Sequence, residues 1–151
     1  MQLFIDGDAF PNLLKPILLR SIERLGISTK VVANKKITIG KSKYIEYIVV
    51  NQGADEADHH IVALCSEGDL VITADIPLAD RIIAKSAHAI DHRGELYCVD
   101  NIKQYLAMRN LMESIRESGE ITSGPKAFGQ KDAHNFANQL NAFLAKHYVK
   151  R

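Results

Sequence analysis

Three groups of acidic residues stand where apolar runs end. Asp6-Gly7-Asp8 follows Leu3-Phe4-Ile5, and Asp55-Glu56-Ala57-Asp58 comes shortly after Ile48-Val49-Val50. Asp75 and Asp80 follow Leu70-Val71-Ile72-Thr73-Ala74. Carboxylate oxygens suit hard divalent cations such as Mg²⁺ and Mn²⁺, which keep several of their own waters. A cation held in this way lowers the pKa of a bound water and stabilises charge building on a phosphorus centre. In an open α/β sheet the carboxyl ends of parallel strands face one edge, and ligands bind there. If the three runs are parallel strands, their carboxylates meet in one crevice, and that much like charge calls for a neutralising cation.

Each acid also has a plainer use. Asp6 closes a buried strand, which no turn or cap requires, whereas Asp8 suits an N-cap for a helix beginning near Pro11. Asp55 and Asp58 are spaced i, i+3 and share one helix face. Acids in a first turn also complement the helix dipole, and this pair imitates a capping box. Asp75 ends an apolar run, and Pro77 fixes the start of the next helix. Asp80, about one turn further on, either looks back at the crevice or pairs with Arg81 or Lys85 on a solvated face. His59 and His60 fit no zinc spacing and read as helix-surface residues. The chain has no nucleophile elbow, Walker loop or dinucleotide fingerprint.

The elements that must position these acids alternate. Short, nearly continuous apolar strands are expected at 2–6, 28–33, 44–50 and 69–74, with shorter ones at 88–92 and 95–99. Ile37-Thr38-Ile39 is a candidate for a further short strand. Helices are expected at about 11–25, with Pro16 a candidate kink, and at 54–66, 77–86, 101–117 and 132–148. Residues 121–131 read as a Gly-, Ser- and Lys-containing loop. This alternation predicts an α/β three-layer sandwich with a mainly parallel central sheet.

A chain of 151 residues, 46% hydrophobic and 25% charged, is long enough for one well-cored domain. No apolar run approaches the roughly 20 residues that cross a bilayer, and the first residues show no signal-peptide pattern. A membrane is therefore not among the expected partners. Cys65 and Cys98, both in apolar surroundings, are expected to be buried thiols of a cytoplasmic protein. The net charge of +1 hides an asymmetry: residues 1–100 carry 11 Lys/Arg against 14 Asp/Glu, and residues 101–151 carry 8 against 4. Lys30, Lys35, Lys36, Lys41 and Lys43 form a basic stretch with no acid among them. Basic surface beside an acidic crevice suits a phosphate polymer, and lysines also guard edge strands.

Four motifs carry a resemblance: DGDAFPN, GADEADHHIV, DLVITADIPLAD and GPKAFGQKDAHNFANQL, in that order over nearly the whole chain. They resemble the YaiI/YqxD family of bacterial proteins. That family resembles the PIN-like nuclease superfamily, whose sheets hold Mg²⁺ or Mn²⁺ on acids at strand ends for phosphodiester hydrolysis. The resemblance implies one PIN-like domain over residues 1–151, with C-terminal helices from about residue 101 packed on it. It also implies a metal-dependent nuclease, with RNA the expected partner. Carried over by motif, Asp6 and Asp8 match the acid closing the first strand, Asp55 and Asp58 those opening the central helix, and Asp75 and Asp80 those after the fourth strand. Asp6, Asp55 and Asp75 are then the expected metal ligands and catalytic acids, with Asp8, Asp58 and Asp80 supporting them. Lys35, Lys36 and Lys126 are the expected substrate contacts. Members often carry DADACP at the first motif where this chain has DGDAFP, so no cysteine takes a role there.

Two other readings compete. Asp6-Gly7-Asp8 after an apolar strand also resembles the nucleophile motif of haloacid-dehalogenase phosphatases, with Asp6 attacking phosphorus and Asp8 as acid/base. No convincing lysine follows a second strand, and the chain is short for that family. A non-catalytic RNA-binding or regulatory module is the third reading. With 7% aromatic residues and no RNP-like cluster, contacts through phosphates rather than stacked bases are expected.

Overall fold

The structure, a computed structural model, describes residues 1–53, 55–119 and 127–148. The strands are β1 (Leu3–Asp6), β2 (Thr29–Ala33), β3 (Ile45–Val49), β4 (Leu70–Ile72), β5 (His88–Ile90) and β6 (Leu96–Tyr97). The α-helices are α1 (Lys15–Leu25), α2 (Glu56–Leu64), α3 (Ile76–Ala84), α4 (Val99–Glu117) and α5 (Gln130–His147). The strands form one sheet in the order β3-β2-β1-β4-β5-β6. All neighbours are parallel except the β5–β6 pair at one edge.

Side chains alternate across a strand, so each central strand feeds two cores. Leu3, Ile5, Val31, Leu70, Ile72 and Ile90 face one side, where they meet Leu14, Leu18 and Ile22 of the α1 region and Phe136, Leu140 and Phe143 of α5. Phe4, Val32, Val71 and Ala89 face the other side, against Ala57 and Ile61 of α2, Leu78 and Ile82 of α3 and Ile102 of α4. The result is the expected three-layer α/β sandwich with a mainly parallel sheet. Each fully buried Leu, Ile or Phe contributes ~1.5–3 kcal/mol relative to exposure.

Several local expectations change. The helix expected from Pro11 begins as a single 3-10 turn, Asn12–Leu14, and α1 proper starts at Lys15. Pro16 thus lies in the first turn of α1, where its missing N–H removes no helical bond, and it is no kink inside the helix. Residues 37–39 form no strand. Ile39 is buried in the core and Ile37 packs against it, while the Tyr47 hydroxyl accepts from the Ile39 N–H and donates to the Gly40 carbonyl. The loop is thereby folded back on the sheet beside the β3 edge. Helix α4 carries little of an apolar stripe. Only Ile102 is buried, and Met108 and Leu111 are more than half exposed. Cys65 is buried but Cys98 is exposed, at the N-cap of α4.

The β5–β6 connection matters for the site. The strand expected through His92 stops at Ile90, because Asp91 turns the chain: its Oδ1 accepts from the N–H groups of Arg93 at 2.9 Å and Glu95 at 2.8 Å. Arg93 Nη1 then donates to Asp132 Oδ2 at 2.8 Å, tying the turn to the start of α5. Gly94 has φ +93, and a Cβ there would stand 2.6 Å from the Asn135 carbonyl oxygen. Backbone strain and a backbone clash act together, so Gly94→Ala should lower stability by ~2–3 kcal/mol. A thermal melt unchanged from wild type would refute this packing.

Candidate active site

In this strand order the direction of winding reverses between β1 and β4, and their carboxyl ends open the crevice where α/β folds bind ligands. Pairing of Ile5 with Ile72 makes Asp6 and Thr73 the next residues out. The Thr73 hydroxyl donates to Asp6 Oδ2 at 2.8 Å, and the Asp8 N–H lies 3.4 Å from Asp6 Oδ1. Asp6 is 8% exposed. Burial raises its pKa to about 6, aided by the Asp8 and Asp75 charges and opposed by the Thr73 hydroxyl and the Asp8 N–H.

Asp8 does not cap a helix. Its Oδ1 accepts from the Asn34 N–H at 3.0 Å, joining the end of β1 to the end of β2. Gly7 turns without a positive φ. The left-handed residue of this loop is Ala9, at φ 57. At the second acidic group the capping-box expectation also gives way. Asp55 is the N-cap of α2, yet its side chain makes no cap hydrogen bond, and its φ is 64. A non-glycine residue held there is strained, and its carboxylate remains available to the crevice.

Asp58, in the first turn of α2, is hydrogen-bonded to the Asp75 carboxyl. Burial first, then the Asp75 and Asp6 charges, push its pKa to about 7. Asp75 begins α3 as a working N-cap, its Oδ1 accepting from the Leu78 N–H at 3.0 Å. Its own N–H donates to Thr73 Oγ1 at 3.0 Å, so one hydroxyl braces both strand ends.

These pieces enclose a cleft of about 400 Å³. Asp6, Asp8, Asp55, Asp58 and Asp75 all line it, together with Glu56, Asn34 and His92. No lysine or arginine is among the described lining residues. The cleft thus gathers five of the six expected acids. The sixth, Asp80, lies elsewhere and pairs with Lys103 of α4 at 2.8 Å, in place of the nearby Arg81 or Lys85. Asp58 rather than Asp55 reaches Asp75, because Asp55 stands at the exposed rim while Asp58 faces inward from the first turn. As the side chains stand, no three acidic, imidazole or thiol groups among the described residues converge on a single cation position. The donor chemistry still fits a hard cation: all the acids are oxygen donors, and two have raised pKa values that a positive charge would relieve.

Lys35 and Lys36 are exposed and directly follow Asn34, next to the cleft rather than in its wall. Lys126 lies outside the described residues. Lys30, in the same basic stretch, pairs with Glu46 at 3.1 Å. His59 Nδ1 lies 3.0 Å from Arg81 Nη1, on the helix surface as expected. Thr73, Asn34 and His92 are site residues given no role from the sequence. Thr73 lies within DLVITADIPLAD at a strand end and Asn34 directly follows a strand, a signal that could have found them. His92 was hidden by reading residues 88–92 as one strand.

Fold and site together define an open α/β protein with an acidic cleft at the carboxyl ends of its parallel strands. Within that class, the chain belongs to the YaiI/YqxD family, whose model, described as "Uncharacterized BCR, YaiI/YqxD family", matches residues 4–146. It is 81% identical to a UPF0178 protein of Sulfurovum sp. (strain NBC37-1) over 146 residues, covering 97% of this chain and 99% of the relative. It is 50% identical to a UPF0178 protein of Maridesulfovibrio salexigens over 146 residues, covering 97% of each. No solved structure matches the chain significantly.

A carboxyl whose pKa is raised on folding holds its proton more tightly in the folded chain than in the unfolded one. Its contribution is most favourable below the ordinary carboxyl pKa and is lost as pH rises through about 6 for Asp6 and about 7 for Asp58. Without divalent cations, stability should therefore fall between about pH 4 and pH 8. Asp58→Asn keeps the shape and removes the charge. It should raise the melting temperature at pH 8 by a few degrees, roughly 2–4 °C per kcal/mol, and change little at pH 4. A variant that melts lower than wild type at pH 8 would count against the repulsion.

Proposed function

We propose that the cleft binds Mg²⁺ or Mn²⁺ and that the protein hydrolyses phosphodiester bonds in nucleic acid, with single-stranded RNA the first substrate class. The observation that carries this reading is the presence of five aspartates in the lining of the switch-point cleft, where burial and, to a lesser degree, neighbouring charges raise the pKa values of Asp6 and Asp58. The strand order is compatible with a PIN-like nuclease fold.

Asp6, Asp58 and Asp75 would hold the cation, with Asp55 at the rim and Asp8 completing the acidic wall. When bound, such a cation supplies a water of lowered pKa and stabilises charge on the phosphoryl oxygens. Thr73 orients Asp6 through its hydroxyl and accepts the Asp75 N–H, fixing the two innermost acids relative to one another. Lys35 and Lys36 would attract the phosphate backbone toward the cleft, and Lys126 is retained as a candidate for the same role. The phosphatase reading is less well supported, since no lysine or arginine is among the described lining residues to accompany Asp6 as that chemistry asks. A cytoplasmic setting agrees with two free thiols, one of them exposed. No helix among the described residues is long and apolar enough to cross a membrane.

Millimolar Mg²⁺ or Mn²⁺ should raise the melting temperature by mass action, and Asp6→Asn and Asp75→Asn should each abolish that rise. Asparagine can still cap α3 at position 75, so the fold should persist. Single-stranded RNA should be cut with Mn²⁺ or Mg²⁺, with no cutting in EDTA or by either variant. Lys35→Ala with Lys36→Ala should weaken RNA binding and flatten its salt dependence. A wild type that cuts neither RNA nor DNA with any divalent cation, yet binds RNA with a normal salt slope, would replace this reading with the binding module.

A further inference from the structure

One atom of the cleft has no partner. His92 is 8% exposed and lines the cleft, and its Nε2 is the one buried side-chain nitrogen or oxygen among the described residues with no hydrogen bond. Leaving such an atom unpaired is destabilising and asks for a reason. The ring is not loosely placed. Phe10, from the loop that follows Asp8, meets it edge-on, with centroids 5.3 Å apart and planes at 87°. The turn carrying it is fastened from within by Asp91 and from outside by the Arg93–Asp132 pair.

The rest of the lining shows what is missing. Six of the lining residues are acids, which when ionised offer acceptors only, and no lysine or arginine is among the described lining residues. Asn34 and His92 are the two described lining residues whose side chains can donate an N–H. A phosphodiester brought to this cleft needs donors for the oxygens that a cation does not cover. Burial, reinforced by Arg93, lowers the His92 pKa to about 4, so the ring is neutral at pH 7 and one of its nitrogens carries a proton.

We propose that His92 is a ligand-contacting residue of the cleft, its Nε2–H donating to a non-bridging oxygen of a phosphodiester. This rests on the nucleic-acid reading above. The test compares wild type with His92→Phe, which keeps a ring against Phe10 and removes the nitrogen. Three quantities are measured: the melting temperature without ligand, its shift with Mg²⁺, and the affinity for a fluorescein-labelled 2′-O-methyl oligoribonucleotide, which keeps both non-bridging oxygens, by anisotropy. The variant should melt no lower than wild type, because an orphaned polar atom has gone, and should keep its Mg²⁺ shift. Its oligoribonucleotide affinity should fall about tenfold, the size of one lost hydrogen bond.

A lower melting temperature with unchanged affinity would make His92 a structural residue and overturn the proposal. Loss of the Mg²⁺ shift would make it a cation ligand and overturn it as well. If wild type shows no Mg²⁺ shift but the variant still loses affinity, the cation reading falls while the His92 assignment stands. Wild-type ring-¹⁵N NMR gives an independent readout of the six histidines. The signal absent from the variant is His92, and its Nε2 should move when the oligoribonucleotide is added. If the phenylalanine variant does not fold, site-by-site assignment through His92→Gln takes its place, and an unmoved Nε2 overturns the proposal.

Discussion

Burial of neighbouring carboxylates at the ends of β1 and β4 is the constraint around which this molecule is arranged. Parallel pairing of Ile5 with Ile72 brings Asp6 and Thr73 together, and the Thr73 hydroxyl then holds Asp6 while accepting the Asp75 N–H. Asp58 comes in from α2 on the other side and shares a hydrogen bond with Asp75. Backbone pairing and two packed cores fix these positions, so the acids cannot separate to relax. Asp6 and Asp58 respond by holding protons more tightly, burial being the larger cause and the neighbouring charges the smaller.

The scaffold achieves this rigidity through plain alternation. Phe4, Val32, Val71 and Ala89 anchor α2 and α3, which carry Asp55, Asp58 and Asp75 into the cleft. Leu3, Ile5, Val31 and Ile72 anchor α1 and α5 on the opposite face, and α5 in turn fastens the turn that presents His92. Both layers therefore serve one edge of the sheet. Helix α4 packs on α3 through Ile102 and the Lys103–Asp80 pair and buries little beyond its first turns.

Features that destabilise a fold gather in this cleft. Two of the three positive-φ non-glycine residues among those described, Ala9 and Asp55, line it, as do the raised Asp6 and Asp58 and the unpaired His92 nitrogen. Natural folds concentrate such violations where a ligand later compensates them. A bound cation and an anionic partner would supply opposite charge and a hydrogen-bond acceptor, and so stabilise the folded state by linkage.

Much of this was legible in the sequence. Near-continuous apolar strands ending in acids, separated by helical periods, determine an α/β sheet and bring Asp6, Asp8, Asp55, Asp58 and Asp75 to one edge. These are local patterns, set by strand burial and by the chain's need to turn at Asp, Gly and Pro. Only tertiary structure decided which acids face one another. Asp55 and Asp58 look equivalent at i, i+3, but the left-handed backbone at Asp55 leaves it at the rim and turns Asp58 inward. Asp80 seemed free to face the crevice, and the packing of α4 gave it Lys103 instead. His92 read as one more strand residue until Asp91 turned the chain beneath it and burial stripped its ring of both water and charge. Sequence patterns report what each segment does alone. Pairings between distant segments depend on distances that only the packed chain sets.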